Sequence, residues 1–241
     1  MMSIELILGI TTFFTSGMTA MIGAGGGMVL IAILPFFIPS SVIIPVHGAN
    51  QLASNMSRAA ASYRDIQWKV APMFFLGSLL GVSLMSMVIY AISFKYIPLF
   101  IGSYMLLSLH SPSFNKAIRR FESYFLIGFF QSGLSMVVGS TGPLSMTLLI
   151  KDYGDKDKVV STQATLMTMT HIFKIITFIS FGFVFSDYMG VVTCMIGGSV
   201  FGSYAGTAFR KKINAEKFNR LLKVILSFLA IKMMVELFFK P

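Results

Sequence analysis

Between Lys69 and Lys95, and again between Asp187 and Arg210, the chain carries no charge. Runs of that length match the ~20 apolar residues a helix needs to cross ~30 Å of hydrocarbon. Only 12% of the 241 residues are charged and 55% are hydrophobic, whereas soluble domains are about 25% charged. Mean hydropathy is +0.79. The chain therefore reads as an all-α polytopic membrane protein. Its net charge of +10 does not point to nucleic acid, because Lys and Arg collect in the cytoplasmic loops of membrane proteins. The single cysteine, Cys194, permits no internal disulfide and no thiolate metal cluster. No metal, cofactor or catalytic residue is expected. No cleavable signal peptide is expected either, since the start "MMSIE" is acidic where a basic region would stand.

Eight apolar segments can be read: 5–37, 42–63, 70–92, 96–109, 121–150, 159–184, 188–208 and 219–239. The polar stretch 110–120 divides them into two repeats of four, 1–109 and 121–241, with 110–120 as a cytoplasmic linker. "SGMTAMIGAGGG" from Ser16 lies over "SGLSMVVGSTGP" from Ser132. The same register brings Ser54 onto Thr170, Asn55 onto His171 and Arg58 onto Lys174.

Charge distinguishes parallel from inverted repeats. If each half crosses four times, the loop Lys and Arg divide nine to six between the two sides. If the first segment of each half is broken and re-entrant, one side collects thirteen: Arg64, Lys69, Lys116, Arg119, Arg120, Lys151, Lys156, Lys158, Arg210, Lys211, Lys212, Lys217 and Arg220. The other side keeps Lys95 and Lys240. The positive-inside tendency favours the second arrangement, which is an inverted repeat with both termini outside. The stretch from Leu144 to "KDYGDKDK" is too short to cross the bilayer, which also favours a re-entrant segment.

Four glycines in five residues (Gly23, Gly25, Gly26 and Gly27) interrupt the first apolar segment. A break at membrane depth is tolerated only where the backbone is buried in protein or lines a polar cavity. The second copy uses Ser140, Thr141 and Gly142, with the hydroxyls as potential N-caps and Pro143 suited to the first helical position. The N-termini of the two half-helices that follow are expected to face each other near the midplane. Each offers unpaired N–H groups and a positive dipole end to an anion, the arrangement used by transporters with broken helices. In this reading Gly25, Gly26 and Gly27 admit the ligand, and a Cβ at Gly26 crowds the site while leaving folding intact. The alternative is that the glycines only allow close helix packing.

The second segment of each half carries a polar face. In the first half it is His47, Gln51, Ser54, Asn55 and Arg58; in the second it is Gln163, Thr170, His171 and Lys174. Charges at the helix centre cost ~2.5–3.5 kcal/mol on insertion scales. The aspartates all sit near segment ends, so an anion is the missing partner. The competing explanation is that Arg58 and Lys174 snorkel to an interface. His47, near a segment edge, reads as a hydrogen-bonded structural residue. His171, in mid-segment, is a candidate for proton coupling. The substrate-binding candidates are thus Gly25, Gly26, Gly27, Gln51, Asn55, Arg58, Ser140, Thr141, Gly142, His171 and Lys174.

"GAGGG" followed by Pro35, "VHGANQLASNMSRAAASYRDIQW", "VVGSTGP" and "HIFKIITFISFGFVFSDY" together resemble the sulfite exporter TauE/SafE family of bacterial membrane permeases. The resemblance extends over nearly the whole chain. It implies a secondary transporter exporting small sulfur-containing anions such as sulfite, sulfoacetate or other organosulfonates across the inner membrane. Its partners would be the anion, the lipid bilayer and protons or another coupling ion. The second glycine motif departs from the first, with Thr141 and Pro143 at the positions of Gly25 and Gly27. Two other classes stay open on the residues alone, an intramembrane enzyme and a membrane assembly or scaffold protein. "GSTG" puts its serine in the wrong place for a serine-type intramembrane protease.

Overall fold

A computed structural model of the chain describes residues 3–89, 92–118, 120, 122–141, 143–210 and 215–239. Among them there is no strand. The helices are α1 (Ile4–Ile22), α2 (Gly26–Ile33), α3 (Ser40–Ala61), α4 (Ala71–Ile89), α5 (Ile97–His110), α6 (Pro112–Ile118), α7 (Tyr124–Val138), α8 (Pro143–Tyr153), α9 (Lys156–Ser180), α10 (Met189–Phe209) and α11 (Ala215–Phe239). Both long glycine-containing segments are broken. α1 ends at Gly23 (φ 100°) and α7 at Gly139 (φ 76°), left-handed conformations that side chains with a Cβ disfavour. In each case the glycine N–H closes the last turn, onto the carbonyls of Thr19 (2.7 Å) and Ser135 (3.0 Å).

Among the described residues, three stretches are long and apolar enough to cross a membrane: Ile4–Ile22, Trp68–Ile89 and Phe185–Phe209. α3 and α9 have the length, with 22 and 25 residues, but carry their polar faces inward. α3 buries His47, Asn50, Gln51, Ser54, Asn55 and Arg58, which explains why hydropathy alone undervalues it.

The helices pack in reciprocal pairs. α1 lies along α10, and α4 along α7. Both pairs are parallel: Gly9 meets Cys194 and Gly17 meets Gly202, while Gly77 meets Phe125 and Gly133 meets Gly81. Backbones touch at these crossings. A Cβ on Gly202 would run into the Phe13 carbonyl, and one on Gly81 into the Phe129 carbonyl. Beside each pair a chain of hydroxyls joins three helices. Ser54 Oγ donates to Ser16 Oγ (2.9 Å) and lies 3.2 Å from Ser203 Oγ. Ser132 Oγ donates to Ser78 Oγ (2.8 Å) and lies 2.8 Å from Thr170 Oγ1.

Two further contacts, α3 with α9 and α5 with α11, are antiparallel. Just beyond the end of α3, the Gln67 N–H donates to Thr162 Oγ1 near the start of α9 (2.9 Å), whereas Gly48 in the first half of α3 meets Lys174 near the end of α9. Likewise Gly102 meets Met234 and His110 lies 2.7 Å from Ser227 Oγ.

Candidate functional site: the junction of the two helix breaks

The two breaks are pressed into each other's half of the molecule. A Cβ built on Gly23 points at Met146 of α8 and Val160 of α9, and one on Gly139 points at Ile31 of α2 and Ile44 of α3. At the centre, a Cβ on Gly27 would stand 3.0 Å from Ser140 Oγ and 3.3 Å from the Gln51 carboxamide. Gly27, Gln51 and Ser140, read separately from the sequence, therefore meet.

Around this point lie three buried nitrogen bases. His47 is fully buried and its Nε2–H donates to the Gly27 carbonyl (3.0 Å). Its ring lies 6.1 Å from that of His171, and both Nδ1 atoms lack a partner among the described residues. Lys174 is 0% exposed and its Nζ donates to the Gly139 carbonyl at 2.8 Å. Lys174 and Arg58 are both enclosed by protein. Among the described residues neither forms an ion pair, and the buried cation that does is Arg210, held by Asp157 at 3.0 Å.

The structure redistributes the remaining candidates. Gly26 is pressed against α1, where a Cβ would collide with the Thr15 carbonyl and the Thr19 hydroxyl. Its missing side chain serves packing, so the expectation that a substitution there spares folding does not hold. Gly25 has φ 98° and faces Leu222 of α11. Thr141 does not cap α8: its hydroxyl donates to the Gln131 carbonyl (2.9 Å). Gly142 lies outside the described residues. Asn55 and Arg58 bond to each other, and their distance from the junction follows from helix geometry. Lys174 packs on Gly48, ten positions before Arg58, which is about 15 Å along α3 at 1.5 Å per residue. The two cations are thus attached at different levels along α3.

Sequence reading passed over two polar residues, Gln131 and Ser145, and placed a third, His47, at a segment edge. His47, taken as an edge residue, supports the first break. Gln131 Oε1 accepts from the Ser145 N–H (2.8 Å) and from Ser145 Oγ (2.7 Å), and so caps α8. Ser145 Oγ is also 2.7 Å from Gln163 Oε1. The α8 terminus is thus satisfied by protein. By contrast, no described residue accepts from the Gly26, Gly27 and Met28 N–H groups that open α2. Gln131 stands next to the repeated Ser-Gly pair, but its counterpart in the first half is Thr15, so internal repetition gave no signal.

An aromatic recess of about 320 Å³ opens at the end of α9, lined by Phe94, Phe178, Phe181, Phe183 and Tyr188. Phe178 is one turn beyond Lys174, so the recess lies next to the junction. Neither the curated proteins nor the solved structures contain a match. The family model described as sulfite exporter TauE/SafE matches residues 8–233. With that match over nearly its whole length, and with apolar helices of membrane-crossing size, the chain belongs to the sulfite exporter TauE/SafE family of membrane transporters.

Proposed function

We propose that this protein is a secondary transporter that exports small sulfur-containing anions, such as sulfite, sulfoacetate or other organosulfonates, across the bacterial inner membrane. The observation that carries the reading is Lys174: fully buried, without a carboxylate among the described residues, where two helix breaks meet. A cation in that position is stabilised by an anion that comes and goes. The N–H groups opening α2 at Gly26–Met28, with Gln51, Ser140 and His171, supply the polar surroundings. Gly25 and Gly26 shape the break, and Thr141 and Gly142 belong to its counterpart in the second half.

The transport architecture in this reading is an inverted repeat, 1–109 and 121–241, joined by the cytoplasmic linker 110–120. Three facts support it: breaks at Gly23 and Gly139 in the same register, reciprocal α1–α10 and α4–α7 pairs, and antiparallel α3–α9 and α5–α11 contacts. An axis in the membrane plane makes equivalent helices antiparallel, whereas one along the normal would make them parallel. The chain then crosses the membrane several times with its basic loops in the cytoplasm. His171, 6.1 Å from His47, is the group through which a proton would be coupled to anion movement.

The test is flux into proteoliposomes holding the purified chain, with sulfite, thiosulfate, sulfate and a two-carbon sulfonate as substrates. Saturable movement of at least one sulfur anion, accelerated by an imposed pH gradient and slowed in Lys174→Met, is expected. No flux of any of the four overturns the reading. Flux indifferent to the pH gradient removes proton coupling alone.

A further inference from the structure

Arg58 sits near the end of α3, only 2% exposed. One of its amino groups, Nη2, donates to Asn55 Oδ1. Asn55 is held in turn by its own Nδ2, which donates to the Gln51 carbonyl at 2.6 Å. The other donors of the guanidinium, Nε and Nη1, are buried and have no partner among the described residues. Another cation, Arg210, acts on it electrostatically. Arg210 is fully engaged, by Asp157 (3.0 Å) and the Ala20 carbonyl (2.9 Å). Lys156 approaches the same point, its Nζ donating to the Arg210 carbonyl at 2.8 Å. Arg210 thus has its carboxylate and Arg58 has none among the described residues.

A place in the last turn of α3 lends Arg58 some support from the helix dipole. That support leaves two N–H groups of a buried cation unbonded. Unmade hydrogen bonds to a charged group are among the costlier features a protein interior can hold. Planar guanidinium donors match the oxygens of a small oxyanion better than an ammonium does.

The separation from Lys174 decides what this means. The Lys174 stem crosses α3 at Gly48 and its head bonds the Gly139 carbonyl, whereas Arg58 is ten residues further along α3 and turned back by one turn onto Asn55. Roughly 10 Å remain between the two heads along the axis, too far for one small anion to bridge. We infer that the chain holds two anion stations in series: one at the helix-break junction on Lys174, and a second on Arg58 and Asn55, beside the Arg210–Asp157 pair. The second station takes the same class of small oxyanion through the free Nε and Nη1 donors. It lies toward the basic loops, where an anion would be taken up before it passes to the junction. This inference rests on the transport reading above but is separable from it.

The experiment is equilibrium dialysis of the purified full chain against sulfite, thiosulfate, sulfate and a two-carbon sulfonate, using the tightest binder of the four as probe. Two anions per unmutated chain at saturation are expected. Arg58→Met and Lys174→Met should each retain one, and the double variant none. Arg58→Lys should regain the second site with weakened affinity. One anion per unmutated chain overturns the second station and leaves the transport reading standing, and that count needs no variant to fold. Two anions still bound by a monodisperse Arg58→Met protein also overturn it. Binding of none of the four probes overturns both readings.

Discussion

Replacing Lys174 by Met keeps most of the stem and deletes the ammonium, and its consequences for the empty and loaded protein have different signs. In the empty protein the variant loses one hydrogen bond, the 2.8 Å contact with the Gly139 carbonyl, worth about 1 kcal/mol net. It also removes a fully buried charge that has no ionic partner among the described residues, and the penalty for burying such an ion is several kcal/mol. The unliganded variant should therefore melt no lower than the parent. With the anion bound the balance reverses. A unit charge about 4 Å from an anion contributes about 4 kcal/mol at an effective dielectric near 20, roughly a thousandfold in Kd. Allowing for water entering the vacated volume, a loss of about a hundredfold is expected. An anion at 100 times the parent Kd stabilises the parent by ~2.7 kcal/mol, while a hundredfold weaker Kd leaves only ~0.4 kcal/mol. A thermal-shift titration in detergent with sulfite and related sulfur anions reads this directly. Parent-like stabilisation of Lys174→Met by an anion that stabilises the parent would refute the reasoning. An unliganded variant that melts far lower would instead make Lys174 a structural strut of the second break.

Gly26→Val should give little monodisperse protein, because the new side chain meets the Thr15 carbonyl of α1; size-exclusion chromatography after solubilisation checks this. Asp157→Asn strips Arg210, 2% exposed, of its carboxylate and should lower stability by about 2–4 kcal/mol, with Arg210→Met in the same chain recovering part of the loss in a melting curve. Single cysteines in 64–69, 110–120, 151–158 and 209–217, on a Cys194→Ser background, should all be shielded from an impermeant thiol reagent in intact cells; labelling of 64–69 and 209–217 from opposite sides would end the inverted arrangement. The exposed Glu122–Lys151 pair holds the Glu122 carboxyl below its ordinary value through the Lys151 ammonium. Any stability it lends is present above the ordinary carboxyl range and fades as pH falls through the lowered value, and Glu122→Gln should leave the neutral-pH melting temperature unchanged because water screens the pair.

The sequence by itself determined the helical membrane class, through charge-free runs that lipid permits only as helices or closed barrels. It also located both helix breaks. Gly23 and Gly139 recur in one register, and the left-handed turn each must make admits few residues other than glycine. The polar faces of α3 and α9 were legible too, since a 3.6-residue period fixes which side chains share a side. Only the tertiary structure decided which of those polar residues meet. Periodicity says that Arg58 and Lys174 face inward, but it carries no information on how α3 slides against α9. The antiparallel packing, with Gly48 against Lys174, puts the two cations at different levels along α3. The same holds for Gly26, which looked like a ligand-facing glycine until its closeness to α1 showed it to be a packing contact. Gln131 became visible only through a partner distant in the chain, Ser145, and the partner of His47, Gly27, was equally hidden from the sequence. A hydrogen bond across helices depends on their placement, and no local pattern of residues records that placement.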